Sequence, residues 1–75
     1  MTQLSKEELD LDKAERDIAA AEHRIGEQAL RVESLRQDGH DTKGAEGLLE
    51  TMRKMAFLFH EHRELILQHI ARLKR

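Results

Sequence analysis

The stretch RQDGHDT, residues 36–42, decides the fold because it interrupts an otherwise continuous helical pattern. Gly39 can adopt the left-handed backbone conformation in which helices commonly end. Either Asp41 or Thr42 can cap a second helix, since both side chains can accept a hydrogen bond from a free backbone N–H. So short a connection makes the two helices antiparallel neighbours. The sequence therefore predicts an all-α fold, an antiparallel two-helix hairpin.

The start of the first helix is predicted from the segment LSKEEL, residues 4–9. Ser5 at the N-cap and Glu8 three residues later form a capping box, in which each side chain bonds the backbone N–H of the other residue. The expected elements of the single domain, residues 1–75, are a helix over about 5–38, a turn over 39–41 and a helix over about 42–74.

Composition excludes several classes of protein. The 75 residues include no cysteine, so neither a disulfide framework nor a thiolate metal site can stabilise so small a chain. The longest apolar run, MAFLF at residues 55–59, is far shorter than the ~20 residues of a membrane span. The N-terminal segment is acidic and amphipathic, unlike a signal peptide. These features predict a cytoplasmic protein that does not contact a membrane.

The first helix carries a heptad pattern, with apolar or small residues at most of its positions a and d. Position a is occupied by Leu4, Leu11, Ile18, Ile25 and Val32. Position d is occupied by Ala14, Ala21, Gln28 and Leu35. This is the pattern of a helix that packs along one narrow seam.

The second helix has a similar repeat and a wider apolar face. Its predicted seam is Ala45, Leu48, Met52, Met55, Phe59, His62, Ile66, His69 and Leu73. Further apolar residues widen the face to an arc of about 200°, against about 140° on the first helix. The narrow apolar face of the first helix cannot cover the wide apolar face of the second, so the apolar surface that stays uncovered predicts a further partner. Residues 1–38 are mainly acidic and residues 39–75 mainly basic, which also favours pairing of the two helices.

The surplus face predicts self-association, most simply a homodimer in which two hairpins form a four-helix bundle. The interface residues expected on this basis are Met52, Met55, Leu58, Phe59, His62, Leu65, Ile66, His69 and Leu73. A different protein covering the same face is the alternative partner. Phe57 points away from the seam and is either incidental or a second contact.

The histidines allow a second hypothesis, a small regulator that responds to metal or pH. The candidate metal ligands are His62 and His69, which lie two turns and ~10 Å apart, too far to share an ion within one helix. The metal hypothesis therefore needs a site across a dimer axis, formed by His62 or His69 of two chains with carboxylates of the first helix. Histidine changes its charge between about pH 5 and 8. Assembly should weaken in acid if these rings are buried without carboxylates, and persist if carboxylates pair with them. The structural interpretation, with no metal and no cofactor, fits the spacing better.

Other functions find little support in the sequence. The basic tail RLKR, residues 72–75, suits a helix C-terminus, and a chain of net charge −2 without stacking aromatics argues against nucleic-acid binding. No set of nucleophile, base and orienting group is visible, and a lone hairpin offers no pocket. The sequence therefore predicts a non-enzymatic interaction or assembly module.

The chain also resembles a group of short helical-hairpin proteins of unknown function from alphaproteobacteria. The resemblance covers roughly residues 14–72. Its motifs are a Gly-His-Asp-Thr turn at 39–42, an Ala-x-x-Leu-Leu opening at 45–49 and a later histidine cluster matched by His62 and Arg63. The cluster departs from the usual spacing, because His60 is only two residues before His62. The resemblance implies a bacterial cytoplasmic origin and no particular activity.

Overall fold

The computed structural model describes residues 2–75 as two antiparallel helices. Helix α1 spans Gln3–Gln37 and helix α2 spans Lys43–Leu73. Together they form a rod of 57 × 15 × 14 Å. The all-helical fold predicted from the sequence is confirmed, and the helix ends lie within two residues of the predicted ones.

The turn between the helices depends on Gly39, as expected. Its φ of 76° is in the left-handed region, which side chains other than glycine rarely adopt. The His40 N–H donates to the Leu35 carbonyl at 2.9 Å, and the Gly39 N–H donates to the Arg36 carbonyl at 3.1 Å. These two bonds form a Schellman motif, which satisfies carbonyls that the end of α1 would otherwise leave without partners.

The start of α2 is capped by Asp41, which resolves the two alternatives. Its Oδ1 accepts a hydrogen bond from the Lys43 N–H at 2.9 Å. Thr42 occupies the N-cap position, but its side chain makes no capping hydrogen bond. The short side chain of an aspartate easily reaches the free backbone N–H two residues later, as in an Asx-turn.

The start of α1 differs from the expectation. Thr2, not Ser5, is the N-cap, and its Oγ1 accepts from the Ser5 N–H at 3.0 Å. Ser5 therefore lies inside the first turn, and Glu8 is exposed beyond it. Because threonine caps nearly as well as serine, the helix extends to the earlier of two competent caps.

The seam of α1 follows the predicted heptad. Its buried apolar residues are Ala14, Ile18, Ala21 and Val32. Glu7 is also buried, at the d position one heptad before Ala14, although the sequence pattern gave that position no role in the seam. A core cluster joins Ala14 to Ile66 and Ile70 of α2, with Leu4 and Leu11 packed against it.

The seam of α2 is shifted by one residue at every second position. The buried residues are Leu49, Ala56, Ile66 and Ile70. Leu48, Met55 and His62, which were predicted in the seam, are exposed, and Arg63 takes the place expected for His62. The shift spares an imidazole from desolvation, because Arg63 can bury its aliphatic stem and keep its guanidinium in water.

Candidate interaction surface

A second row of apolar side chains runs along α2 beside the seam, and we call it the outer stripe. It consists of Leu48, Met55, Leu58 and Leu65, which are between 51% and 63% exposed. If the seam of α2 holds heptad positions a and d, these residues hold positions c and g. At ~100° per residue, the outer stripe faces about 100° away from the seam. Helix α2 thus has two apolar faces, and α1 covers one of them.

The nine predicted interface residues divide between these two faces. Met52, Phe59 and Ile66 face α1 and are at least partly buried within the hairpin. Met55, Leu58 and Leu65 belong to the outer stripe, and the exposed His62 lies between the last two. Leu73 is 37% exposed at the end of α2, and His69 is partly buried at the edge of the seam.

A shallow groove connects the seam to the outer stripe. It is lined by Ala21, Arg24, Met52, Met55 and Phe59. A second groove nearer the turn is lined by Arg31 of α1 and Leu48 of α2, among others. Arginines of α1 therefore border the apolar row on this side of the hairpin, and their long side chains can pack along it.

His69 faces Glu7 across the open end of the hairpin. Its Nδ1 lies 3.1 Å from Glu7 Oε1, and the amide of Gln3 donates to the same oxygen at 3.0 Å. A turn centred near residue 40 predicts that His69 lies opposite Leu11, with Asp10 and Asp12 as the flanking carboxylates. The actual partner lies about one turn earlier on α1, where a seam position places its carboxylate directly against α2.

The opposite edge of the hairpin is polar. His60 Nε2 lies 3.0 Å from Glu22 Oε1, and Arg36 forms an ion pair with Glu46 near the turn. Both pairs are about half exposed or more, so each contributes at most about 1 kcal/mol to stability. These two pairs link the helices along this edge, and the outer stripe runs along the other edge.

The histidines do not gather around a common point. Within residues 2–75, no group of three or more His, Asp or Glu side chains has the arrangement needed to hold a metal ion. His62 is exposed on the outer stripe and His69 contacts Glu7, so the two candidate metal ligands face different surroundings.

Phe57 lies apart from the outer stripe. It is 61% exposed and, one residue before Leu58, points about 100° away from that side chain. The open surface around it is lined by Glu50, Arg53 and Lys54, and also by Leu58 of the outer stripe. Phe57 is therefore an exposed aromatic among charged residues, on a different face from the outer stripe but sharing a surface hollow with Leu58.

No protein-family model, curated protein or solved structure matches the chain. The resemblance to alphaproteobacterial hairpin proteins stays a prediction. In the described part of the chain, neither helix has a stretch long and apolar enough to cross a membrane.

Proposed function

We propose that this protein is a non-enzymatic assembly module that forms a homodimer through α2, with the outer stripe at the centre of a four-helix bundle. The observation that carries the proposal is the outer stripe itself: four large apolar side chains, each more than half exposed, at heptad spacing on one helix face. Exposed apolar residues are common singly, but four of them in one row along a helix mark an interaction surface.

The two faces of α2 suit a bundle. A helix at a corner of a four-helix bundle packs against two neighbours, and its two apolar faces are then about a right angle apart. The seam and the outer stripe of α2 are separated by about that angle. Helix α1 has only two large exposed apolar residues, Leu9 and Leu30, and they are three heptads apart. The contact between copies is therefore assigned to α2.

The surface area agrees with a missing neighbour. The hairpin exposes 5797 Å², whereas a compact monomer of 8.7 kDa would expose about 4,700 Å². The difference, about 1,100 Å², is comparable to the ~800 Å² that each partner buries in a typical stable interface. Within residues 2–75 no side chain is less than 2% exposed, so the hairpin has little interior of its own.

Absolute mass by light scattering tests the proposal. We expect the wild-type chain to have the mass of two copies, and Leu58→Glu/Leu65→Glu to have the mass of one, because the new charges would have to be desolvated in the interface. Leu30→Glu is the matched control: Leu30 is 73% exposed on α1, so this variant should remain a dimer.

Two results would contradict the proposal. A wild-type chain that stays monomeric at millimolar concentration does not self-associate. Its outer stripe would then be the binding surface for a different protein. A double variant with the mass of the wild type would show that the copies meet elsewhere.

A regulator that responds to pH through histidine is the second candidate, favoured by the contacts of His69 with Glu7 and His60 with Glu22. The charged residues one turn from these rings on α2 are Arg63 and Glu64 for His60 and Arg72 for His69. Light scattering at pH 8 and 5.5, with and without zinc, separates the candidates: a constant mass of two chains leaves only the constitutive assembly module.

A further inference from the structure

The residues of the outer stripe point to the orientation of the second copy, an inference that rests on the proposed function. We infer that the two α2 helices pack antiparallel about a two-fold axis that passes between Ala56 and Phe57. Leu48 then faces Leu65 of the second copy, and Met55 faces Leu58 of the second copy.

The spacing of the stripe carries the first part of the argument. Its residues are separated by seven, three and seven positions, a sequence of intervals that reads the same in both directions. A two-fold axis perpendicular to the helix converts such a row into itself reversed, so every large apolar residue meets another one. In a parallel pair, by contrast, identical residues meet, and His62 would face His62 of the second copy.

The polar residues within the stripe obey the same symmetry. Thr51 and His62 occupy the positions between the apolar residues and lie at equal distances from the proposed axis. Each His62 would therefore face Thr51 of the second copy. The Thr51 hydroxyl donates to the Gly47 carbonyl at 3.1 Å, which leaves its oxygen lone pairs able to accept a hydrogen bond from an imidazole N–H.

The charges beside the stripe give an independent indication. Lys54 and Glu61 are exposed at the same heptad position, and the antiparallel arrangement sets each beside its opposite charge on the second copy. The present contact of Lys54 with Glu50 is long, 3.5 Å, with both side chains at least 70% exposed, so it competes weakly. In a parallel pair, Lys54 and Glu61 of different copies would be ~10 Å apart along the axis and would not meet.

Disulfide trapping tests the orientation, since the chain has no cysteine of its own. In the antiparallel dimer two Leu48 positions are ~25 Å apart, whereas Leu48 lies opposite Leu65 of the second copy. We expect a mixture of Leu48→Cys and Leu65→Cys to give mainly the mixed disulfide under mild oxidation. Neither variant alone should cross-link above the level of the collision control, Leu30→Cys.

The possible outcomes separate this inference from the proposed function. A dimer by light scattering in which Leu48→Cys cross-links to itself overturns the antiparallel orientation and leaves self-association standing. The antiparallel orientation is also overturned if the protein is a dimer but no combination of cysteine variants cross-links above the level of the Leu30→Cys control. A monomer by light scattering overturns the proposed function, and the inference with it.

A charge exchange checks the orientation without cysteine. Lys54→Glu and Glu61→Lys should each weaken dimerisation by about threefold or more, because each creates two like-charge contacts. The double exchange K54E/E61K restores opposite charges at both contacts and should restore the dissociation constant to within about twofold. If the double exchange changes the free energy of dimerisation by the sum of the two single changes, Lys54 and Glu61 do not meet across the interface.

Discussion

At the scale of single residues, the same substitution should have opposite effects at two glycines. Gly39 has a left-handed φ of 76°, whereas Gly26 lies inside α1. Apart from its chain neighbours and the nearby backbone of α1, a Cβ added at Gly26 would meet no atom of the described chain within 4 Å. Gly26→Ala should therefore raise the free energy of unfolding by about 0.5–1 kcal/mol through its helix propensity. Gly39→Ala should lower it by about 1–2 kcal/mol, because alanine is strained in the left-handed region.

Urea unfolding followed by circular dichroism measures both changes, at one fixed protein concentration. A stabilising effect of Gly39→Ala would mean that the turn can adopt another conformation without loss. A destabilising effect of Gly26→Ala would mean that a second copy packs against α1 at that point.

Also at this scale, the sequence could not identify the partner of His69. Carboxylates are abundant on α1, and Asp10 and Asp12 were as plausible by register as any other. Glu7 is distinguished only by its heptad position, three residues after Leu4, where its side chain enters the seam. A polar residue at a d position was the available signal, because such a residue usually has a partner in the facing helix.

At the scale of the helices, the predictability of each seam depends on how many apolar neighbours compete for it. In α1 nearly every seam position is flanked by charged or small residues, so the heptad could be read directly. In α2 apolar residues occur in adjacent pairs, such as Leu48 with Leu49 and Leu65 with Ile66. Such pairs reveal a wide face but not which member packs inward, and the prediction was wrong at Leu48, Met55 and His62.

The pair Leu65 and Ile66 allows this division of α2 to be tested. Ile66 is 6% exposed in the core cluster and Leu65 is 63% exposed on the outer stripe. Ile66→Ala should lower the free energy of unfolding by about 2–4 kcal/mol, whereas Leu65→Ala, at a protein concentration that keeps the variant dimeric, should leave the helix content nearly unchanged. Circular dichroism and light scattering on the same samples distinguish the two effects. Equal loss of helix in both variants would contradict the assignment of separate faces.

At the scale of the whole molecule, the small interior implies that folding and association are linked. A chain that gains a large part of its buried area by pairing is stabilised by mass action, so its melting temperature depends on concentration. With an unfolding enthalpy of about 0.7 kcal/mol per residue, a two-state dimer of this size should melt about 5 °C higher for each tenfold increase in concentration. Scanning calorimetry over a hundredfold range measures this slope. A melting temperature independent of concentration would mean that the hairpin is stable alone.

The antiparallel course of α1 and α2 also has a mechanical consequence. Residues 2 and 75 lie at one end of the rod, and Gly39 lies at the other. Tension applied between residues 2 and 75 therefore separates the helices one layer at a time, beginning at the Glu7–His69 contact. Tension applied between residue 2 and Gly39 instead runs along the axis of α1, where the roughly 3.6 backbone hydrogen bonds of each turn share the load and successive turns bear it in series. The two helices should therefore separate at a lower force when the chain is pulled at its open end than α1 needs to unfold when it is stretched along its axis.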